Sequence, residues 1–114
     1  MNGNVTYFEV PSRDIAATER FWGTLFDWKF KGGNFPGYSM IDGPEPMGGA
    51  PHDDASRHPR IYFAVDDLET ALARVRELGG TAQDPVTIPS GAFAHCTDDQ
   101  GVEFSLFQDP VPAD

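Results

Sequence analysis

Cysteine is almost absent from the sequence, since Cys96 is the only one among 114 residues. A lone cysteine cannot form an intramolecular disulfide, so a fold held by disulfides is excluded and a reducing compartment is favoured. Unpaired cysteines serve more often as small buried apolar residues than as nucleophiles. We therefore expect Cys96 in the core.

Basic residues are also scarce. Eight lysines and arginines stand against 18 acidic residues, giving a formal net charge of −10. Such a charge repels phosphate backbones and anionic lipid surfaces, so we expect neither nucleic acid nor membrane as a partner. The same field favours a neutral or cationic ligand, although surplus carboxylates also keep proteins in solution.

Long apolar runs and the common catalytic motifs are missing. No run approaches the roughly 20 residues needed to cross a bilayer, and the opening MNGNVTYFEV has no signal-peptide pattern. We therefore expect a cytoplasmic protein. The sequence contains no glycine-rich phosphate loop, nucleophile elbow or Cys-x-x-Cys pair, so it does not predict nucleotide, serine-hydrolase or dithiol chemistry.

An internal repeat is the main positive signal. Tyr-Phe-x-Val opens two segments, at Tyr7 and at Tyr62, and an apolar stripe of helical spacing follows each. The stripes align Ile15 with Leu68, Trp22 with Val75 and Leu25 with Leu78. The sequence predicts strands at residues 5–10, 28–31, 38–42, 47–50, 60–65, 81–83, 92–97 and 102–108.

The two halves therefore share the order β-α-β-β-β. We predict one domain, 1–114, with a module at 3–50, a linker at 51–59 and a module at 60–109. Asp14 is the expected cap of the first helix, and Asp66 or Asp67 that of the second, with Glu69 placed as in a capping box after Asp66. Gly79 and Gly80 are expected to end the second helix.

Three segments, FEVPSRDIAATERFWGTLFDWKF, FAVDDLETALARVRELGGT and DDQGVEFSLFQ, make the chain similar to the vicinal oxygen chelate superfamily. That superfamily includes glyoxalase I, bleomycin-resistance proteins and extradiol dioxygenases. The resemblance covers nearly the whole chain and implies an α+β fold. In it, two βαβββ modules form curved mixed sheets around a concave cavity, with the helices on the outer face.

The stretch RFWGTLFDWKF holds five aromatic rings in 11 residues. We expect Trp22 and Leu25 to pack from the helix onto the sheet, together with either Phe21 or Phe26. Trp28 and Phe30 alternate with Lys29, so their side of the strand is apolar; they either pack in the core or line the mouth of the cavity.

The resemblance also implies where a metal would bind, and the residues there are unsuitable. Members of the superfamily place His, Glu or Gln at four positions. In this chain those positions fall on Val5, Arg60, Ser105 and the stretch MGGA at 47–50. None of these supplies a good ligand for a divalent ion. We therefore expect no metal and no cofactor. His52 and His58 are interpreted as solvated linker residues.

Strand alternation points a set of side chains into the expected cavity, and we predict that six of them bind the ligand: Tyr7, Glu9, Arg60, Tyr62, His95 and Ser105. Glu9 either pairs with Arg60, which would be structural, or stays available to a ligand. His95 either hydrogen-bonds a side chain of a neighbouring strand or acts as a base. The sequence does not decide between the two roles of Glu9 or between the two roles of His95.

The resulting hypothesis is a metal-independent small-molecule binding protein of the glyoxalase/bleomycin-resistance type that sequesters an aromatic or cationic ligand. The alternative is a glyoxalase-like lyase, isomerase or dioxygenase that uses Glu9 and His95 as catalytic residues, with or without a divalent metal. A third reading is an interaction module. Exposed strand edges also favour a homodimer.

Overall fold

Strands and helices alternate in an order that occurs twice along the chain. The computed structural model describes residues 2–32, 37–52, 54 and 56–110. Its elements are β1 (Val5–Glu9), α1 (Ile15–Phe26), β2 (Lys29–Gly32), β3 (Tyr38–Asp42), β4 (Gly48–Pro51), β5 (Arg60–Ala64), α2 (Leu68–Glu77), β6 (Thr81–Ala82), β7 (Val86–Ile88), β8 (Gly91–Thr97) and β9 (Glu103–Gln108). They fall into two units, a first unit of Tyr7–Arg60 and a second unit that holds the chain from Ile61 onward together with its first six residues.

In the first unit the strand order is β2-β3-β4-β1. The pairs β2/β3 and β3/β4 are antiparallel, whereas β1 and β4 run parallel. Phe8 lies opposite Gly48 and Glu9 opposite Gly49. This register, together with the pairing of β4 with β3, determines which side chains of β1 and β3 lie on the same face.

In the second unit the order is β5-β9-β8-β6, with β7 also paired to β8. Again the first strand runs parallel to the last, β5 to β9, while β8 is antiparallel to its neighbours. The predicted internal repeat and the α+β class are therefore confirmed. The strand β7 was not predicted; it has only three residues, and Pro85 and Pro89 flank it.

Aspartates cap both helices. The Asp14 side chain accepts a hydrogen bond from the backbone N–H of Ala17, as predicted. For α2 the capping box beginning at Asp66 was wrong: Asp67 is the cap, and its carboxylate accepts from the Thr70 N–H at 3.1 Å. Gly79 ends the helix with φ +94°, as expected. In the part of the chain that the structure describes, neither helix is long and apolar enough to cross a membrane.

The aromatic stretch packs as a row of rings between α1 and the strands of the first unit. Trp22 and Trp28 are stacked with centroids 5.4 Å apart, and both pack with Phe8 and Phe30 against the core of Val10, Ile41 and Ala50. Leu25 was predicted to be buried, but 56% of it is exposed, and Phe21 and Phe26 are more than half exposed as well. Trp28 and Phe30 are partly buried and pack against this core, as the first of the two alternatives predicted.

The second core lies under α2. Leu68 and Leu72 are 3% and 1% exposed, and they pack with Ala94, Cys96 and Leu106. Cys96 is thus the buried apolar residue that was expected, and burial raises the pKa of its thiol. Leu78 was wrongly assigned to the buried stripe: it follows the last helical residue and is 64% exposed.

The segment predicted as a linker is partly structured. β4 continues to Pro51, and His52 forms a β-bridge with Ser12. The His52 Nε2 atom lies 3.1 Å from the Ser39 hydroxyl, so the interpretation of His52 as solvated was wrong. Asp53 and Ala55 lie outside the described residues.

Candidate functional site

Strand β1 separates two environments. Phe8 and Val10 pack in the core with α1, as alternation predicted. Tyr7 and Glu9 take part instead in a polar network with Tyr38 and Arg60, all of them in the first unit. We call this group of four side chains the phenol–carboxylate network.

A buried ion pair anchors the network. Glu9 is 7% exposed, and its Oε1 atom accepts a hydrogen bond from an Arg60 guanidinium nitrogen at 3.0 Å. The sequence left open whether Glu9 pairs with Arg60, and the structure shows that it does. Its other oxygen, Oε2, accepts from the Tyr38 hydroxyl at 2.9 Å. A carboxylate so deeply buried requires such partners, because desolvation without them is costly.

Tyr38 extends the network to Tyr7. The two phenol oxygens are 2.6 Å apart, and the Tyr7 hydroxyl also lies 3.8 Å from the Met40 sulfur. Tyr38 was missing from the predicted site, although its strand was predicted with the correct bounds. Alternation along that strand places Tyr38 and Met40 on the face opposite Ile41, but only the pairing of β3 with β4 and of β4 with β1 brings Tyr38 to Tyr7.

The Tyr7 and Tyr38 hydroxyls pack against the backbone of Gly49. A Cβ atom at this position would collide with both phenol oxygens and would lie 2.5 Å from the Tyr38 Cζ atom. The missing side chain thus makes room for the hydroxyls. Gly48 plays the same part on the other face, where the Phe8 ring covers it. The glycines of β4 therefore explain how rings pack on both faces of this sheet.

A second carboxylate, that of Asp54, lies near the Arg60 guanidinium. Asp54 Oδ2 lies 3.6 Å from the same Arg60 nitrogen that binds Glu9. Burial disfavours the Asp54 carboxylate, but hydrogen bonds from Ser56 and the Arg60 charge outweigh it and lower the pKa of Asp54. Two carboxylates therefore share one guanidinium.

Both phenols are stabilised in their neutral form. Burial and the nearby Glu9 charge raise the pKa of Tyr38 far above its ordinary value of 10.0. Burial raises the pKa of Tyr7 as well. Each hydroxyl consequently keeps its proton throughout the physiological range and remains a hydrogen-bond donor.

We expect the protein to lose stability in alkaline solution because of Tyr38. A phenol with a raised folded-state pKa stabilises fully below its unfolded value of 10.0, and this stabilisation is lost as the pH rises through the folded pKa. The free energy of unfolding should fall by at most about 1.4 kcal/mol per pH unit for one such group. Urea unfolding from about pH 9 to about pH 11.5, compared between the wild type and Tyr38→Phe, measures this. Equal slopes in the two proteins would contradict the assignment.

A separate cluster lies in the second unit. His95 Nδ1 is 2.6 Å from the hydroxyl of Ser105, which is completely buried on the adjacent strand. The His95 ring also contacts Tyr62 and Phe93, with ring centroids 6.1 and 5.3 Å away. The reading of His95 as hydrogen-bonded to a neighbouring strand is thus confirmed. This bond fixes the orientation of the imidazole.

The six predicted ligand-binding residues fall into two groups of three. The first unit brings Tyr7, Glu9 and Arg60 together, linked through Tyr38. The second unit places Tyr62, His95 and Ser105 on adjacent strands, in one row across the sheet. Their role in ligand binding stays a prediction.

The donor set does not fit the superfamily's metal site. Val5 has no donor atom, and Arg60 supplies a positive charge already paired with Glu9. Ser105 is bonded to His95, and the stretch 47–50 offers only a methionine, two glycines and an alanine. Within 2–32, 37–52, 54 and 56–110, no three His, Cys, Asp or Glu residues are grouped so as to hold a metal ion.

The paired strand–helix units, with parallel first and last strands, define a protein of the vicinal oxygen chelate superfamily. A family model described as "Glyoxalase-like domain" matches residues 7–107, and the chain belongs to this family. The resemblance drawn from the sequence is therefore confirmed.

Individual relatives support the fold more than any activity. A Mycobacterium bovis protein named provisionally as the glyoxylase CFP32 is 41% identical over 69 residues, which cover 59% of this chain and 24% of that protein. The match thus spans about a quarter of the relative's length.

Two solved structures share the fold at low identity. The hypothetical protein BH1468 of Bacillus halodurans superposes with a TM-score of 0.71 at 16% identity, covering 98% of each chain. Methylmalonyl-CoA epimerase of Mycobacterium tuberculosis gives a TM-score of 0.63 at 16% identity, covering 96% of this chain and 89% of its own. At such identities the likeness concerns the fold alone.

Proposed function

We propose that this protein is a metal-independent small-molecule binding protein of the glyoxalase/bleomycin-resistance type. It takes its ligand where the phenol–carboxylate network meets solvent. The observation that carries the proposal is the ion pair of Arg60 with the buried Glu9 at 3.0 Å, with Tyr38 held on the other carboxylate oxygen.

The ion pair supports binding because it fixes the phenols in advance. Glu9 is held by Arg60 on one oxygen, so the other oxygen holds Tyr38, which in turn holds Tyr7. Side chains locked by a second layer of hydrogen bonds lose little freedom when a ligand arrives. Tyrosine is also well suited to contact, since it offers an apolar ring with a polar tip.

Arg60 supports independence from metal. It occupies a position where the superfamily places a metal ligand, and a guanidinium cannot be deprotonated in a protein. A divalent cation at that place would be repelled by Arg60 and would compete with it for Glu9. The network thus offers an organic ligand hydrogen-bonding groups and ring surface in place of a metal centre.

Two measurements test this function. Elemental analysis of the purified protein should find less than one equivalent of zinc, nickel, manganese or iron, and chelator treatment should leave ligand binding unchanged. A screen of aromatic fragments by protein NMR should shift the Tyr7 and Tyr38 resonances of the wild type. Tyr7→Phe should weaken the hits, whereas Val102→Ala, at a site 60% exposed and outside the helices and strands, should leave them unaltered. Stoichiometric metal that is needed for binding would overturn the proposal.

A second candidate is the enzyme reading, a lyase, isomerase or dioxygenase that uses Glu9 and His95. The observation in its favour is the contact of 2.6 Å between His95 and the buried Ser105, which orients an imidazole able to transfer protons. Turnover that disappears in His95→Ala, while ligand affinity is kept, would establish it. Binding without turnover in the wild type would favour sequestration.

The homodimer stays a proposal of its own. It was inferred from strand edges in the sequence, and sedimentation of the purified chain over a range of concentrations would measure it.

A further inference from the structure

In the phenol–carboxylate network, the direction of each hydrogen bond follows from its partners. We propose that the Tyr7 oxygen meets the ligand as a hydrogen-bond acceptor, so that this site selects an organic cation, a protonated amine carried on an apolar body. This inference rests on the proposed function and names the class of ligand for the same site.

The first step concerns access to Glu9. Both of its oxygens are engaged, Oε1 by Arg60 and Oε2 by Tyr38, and its side chain is only 9% exposed. A ligand at this face therefore meets the half-buried phenols before it can reach the carboxylate. The negative charge of Glu9 acts on the ligand through the hydroxyls.

The second step is the direction of the hydrogen bonds. A carboxylate paired with a guanidinium only accepts, so the single hydroxyl proton of Tyr38 is donated to Glu9. The contact of 2.6 Å between the phenols then requires the proton of Tyr7, which is donated to the Tyr38 oxygen. The Met40 sulfur, 3.8 Å from the Tyr7 hydroxyl, competes for the same proton but is a weak acceptor.

A hydroxyl whose proton is committed can offer a ligand only lone pairs. Hydrogen bonds in a chain also polarise one another, so a chain that ends on a carboxylate makes the first oxygen a better acceptor. Tyr7 thus recognises a group that donates. An ammonium donates three hydrogen bonds, whereas a carboxylate donates none.

The local charge points the same way. Glu9 and Asp54 share the charge of Arg60, with nitrogen–oxygen distances of 3.0 and 3.6 Å. Among the described residues, two carboxylates thus lie beside one guanidinium, and their charges favour a cation over an anion near the phenols. The faces of Tyr7 and Tyr38 add a cation–π attraction, and Met40 supplies a polarisable apolar contact.

A charge series of one ring size tests the inference: benzylammonium, benzyl alcohol and phenylacetate, titrated into the wild type, Tyr7→Phe and Tyr38→Phe and followed by NMR. The wild type should bind benzylammonium at least about tenfold more tightly than phenylacetate, since a charge-assisted hydrogen bond contributes about 1.5–3 kcal/mol. Tyr7→Phe should remove most of that preference. Tyr38→Phe should also reduce it, because the Tyr7 hydroxyl is then no longer committed as a donor to Tyr38. Circular dichroism checks that the variants fold.

The outcomes separate this inference from the proposed function. A flat or reversed charge series in a protein that binds the probes overturns the choice of a cation and leaves small-molecule binding standing. No shift at Tyr7 or Tyr38 with any of the three probes at saturating concentration overturns both. The preference should persist at about 1 M salt, where the Debye length is about 3 Å. A preference that vanishes there comes from the overall acidic charge and overturns the role given to Tyr7.

Discussion

Replacing Gly49 by alanine should dismantle the phenol–carboxylate network. The added Cβ collides with the hydroxyl oxygens of Tyr7 and Tyr38, which sit directly over the glycine. The backbone there is buried and paired on both sides, to β1 and β3, so the rings must move. We expect the variant to lose about 1–3 kcal/mol of unfolding free energy, as overpacked sites do, and to lose ligand binding.

Two other glycines provide matched controls. Gly32→Ala meets no atom within 4 Å and should change stability by less than about 0.5 kcal/mol. Gly48→Ala collides with the Phe8 ring on the opposite face, so it should destabilise to a similar degree but leave the phenols in place. Urea unfolding and NMR of the tyrosine rings distinguish the three. A Gly49→Ala protein with unchanged Tyr7 and Tyr38 resonances would contradict the packing described here.

The fold was predictable because the spacing of apolar residues along the sequence indicates its strands and helices. Tyr38–Asp42 was predicted with its observed bounds, and most other strands to within one or two residues. Errors came where tertiary context decides. Leu25 and Leu78 have the spacing of buried residues, yet each ends up more than half exposed. Spacing marks a helix face, but the sheet covers only part of that face.

The site was predictable in part for a related reason. Alternation along the first strand placed Tyr7 and Glu9 together, away from the core, and alternation along the strand 60–65 supplied Arg60. Tyr38 requires more than alternation within one strand, because it reaches Tyr7 only through the pairing of β3 with β4 and of β4 with β1. Pairing partners are long-range information that periodicity does not hold.

The Arg60 charge is the element on which this arrangement depends. Arg60→Met should lower the unfolding free energy by about 3 kcal/mol, because breaking a buried pair leaves the other charge without compensation. The side chains of Arg60 and Glu9 are 16% and 9% exposed, which places the loss at the lower end of the range for buried pairs. Release of Glu9 should also free Tyr38, so the tyrosine resonances should broaden or shift.

The chain contains its own control for that experiment. Lys31 and Asp42 form an ion pair of 2.6 Å, but their side chains are 58% and 44% exposed. Lys31→Met should therefore cost less than about 1 kcal/mol. Glu9→Gln combined with Arg60→Met removes both charges and should recover part of the loss, and urea unfolding of the four proteins of this cycle gives the coupling energy. If Arg60→Met costs no more than Lys31→Met, Glu9 is stabilised by something other than Arg60, and the guanidinium does not hold the phenols in place.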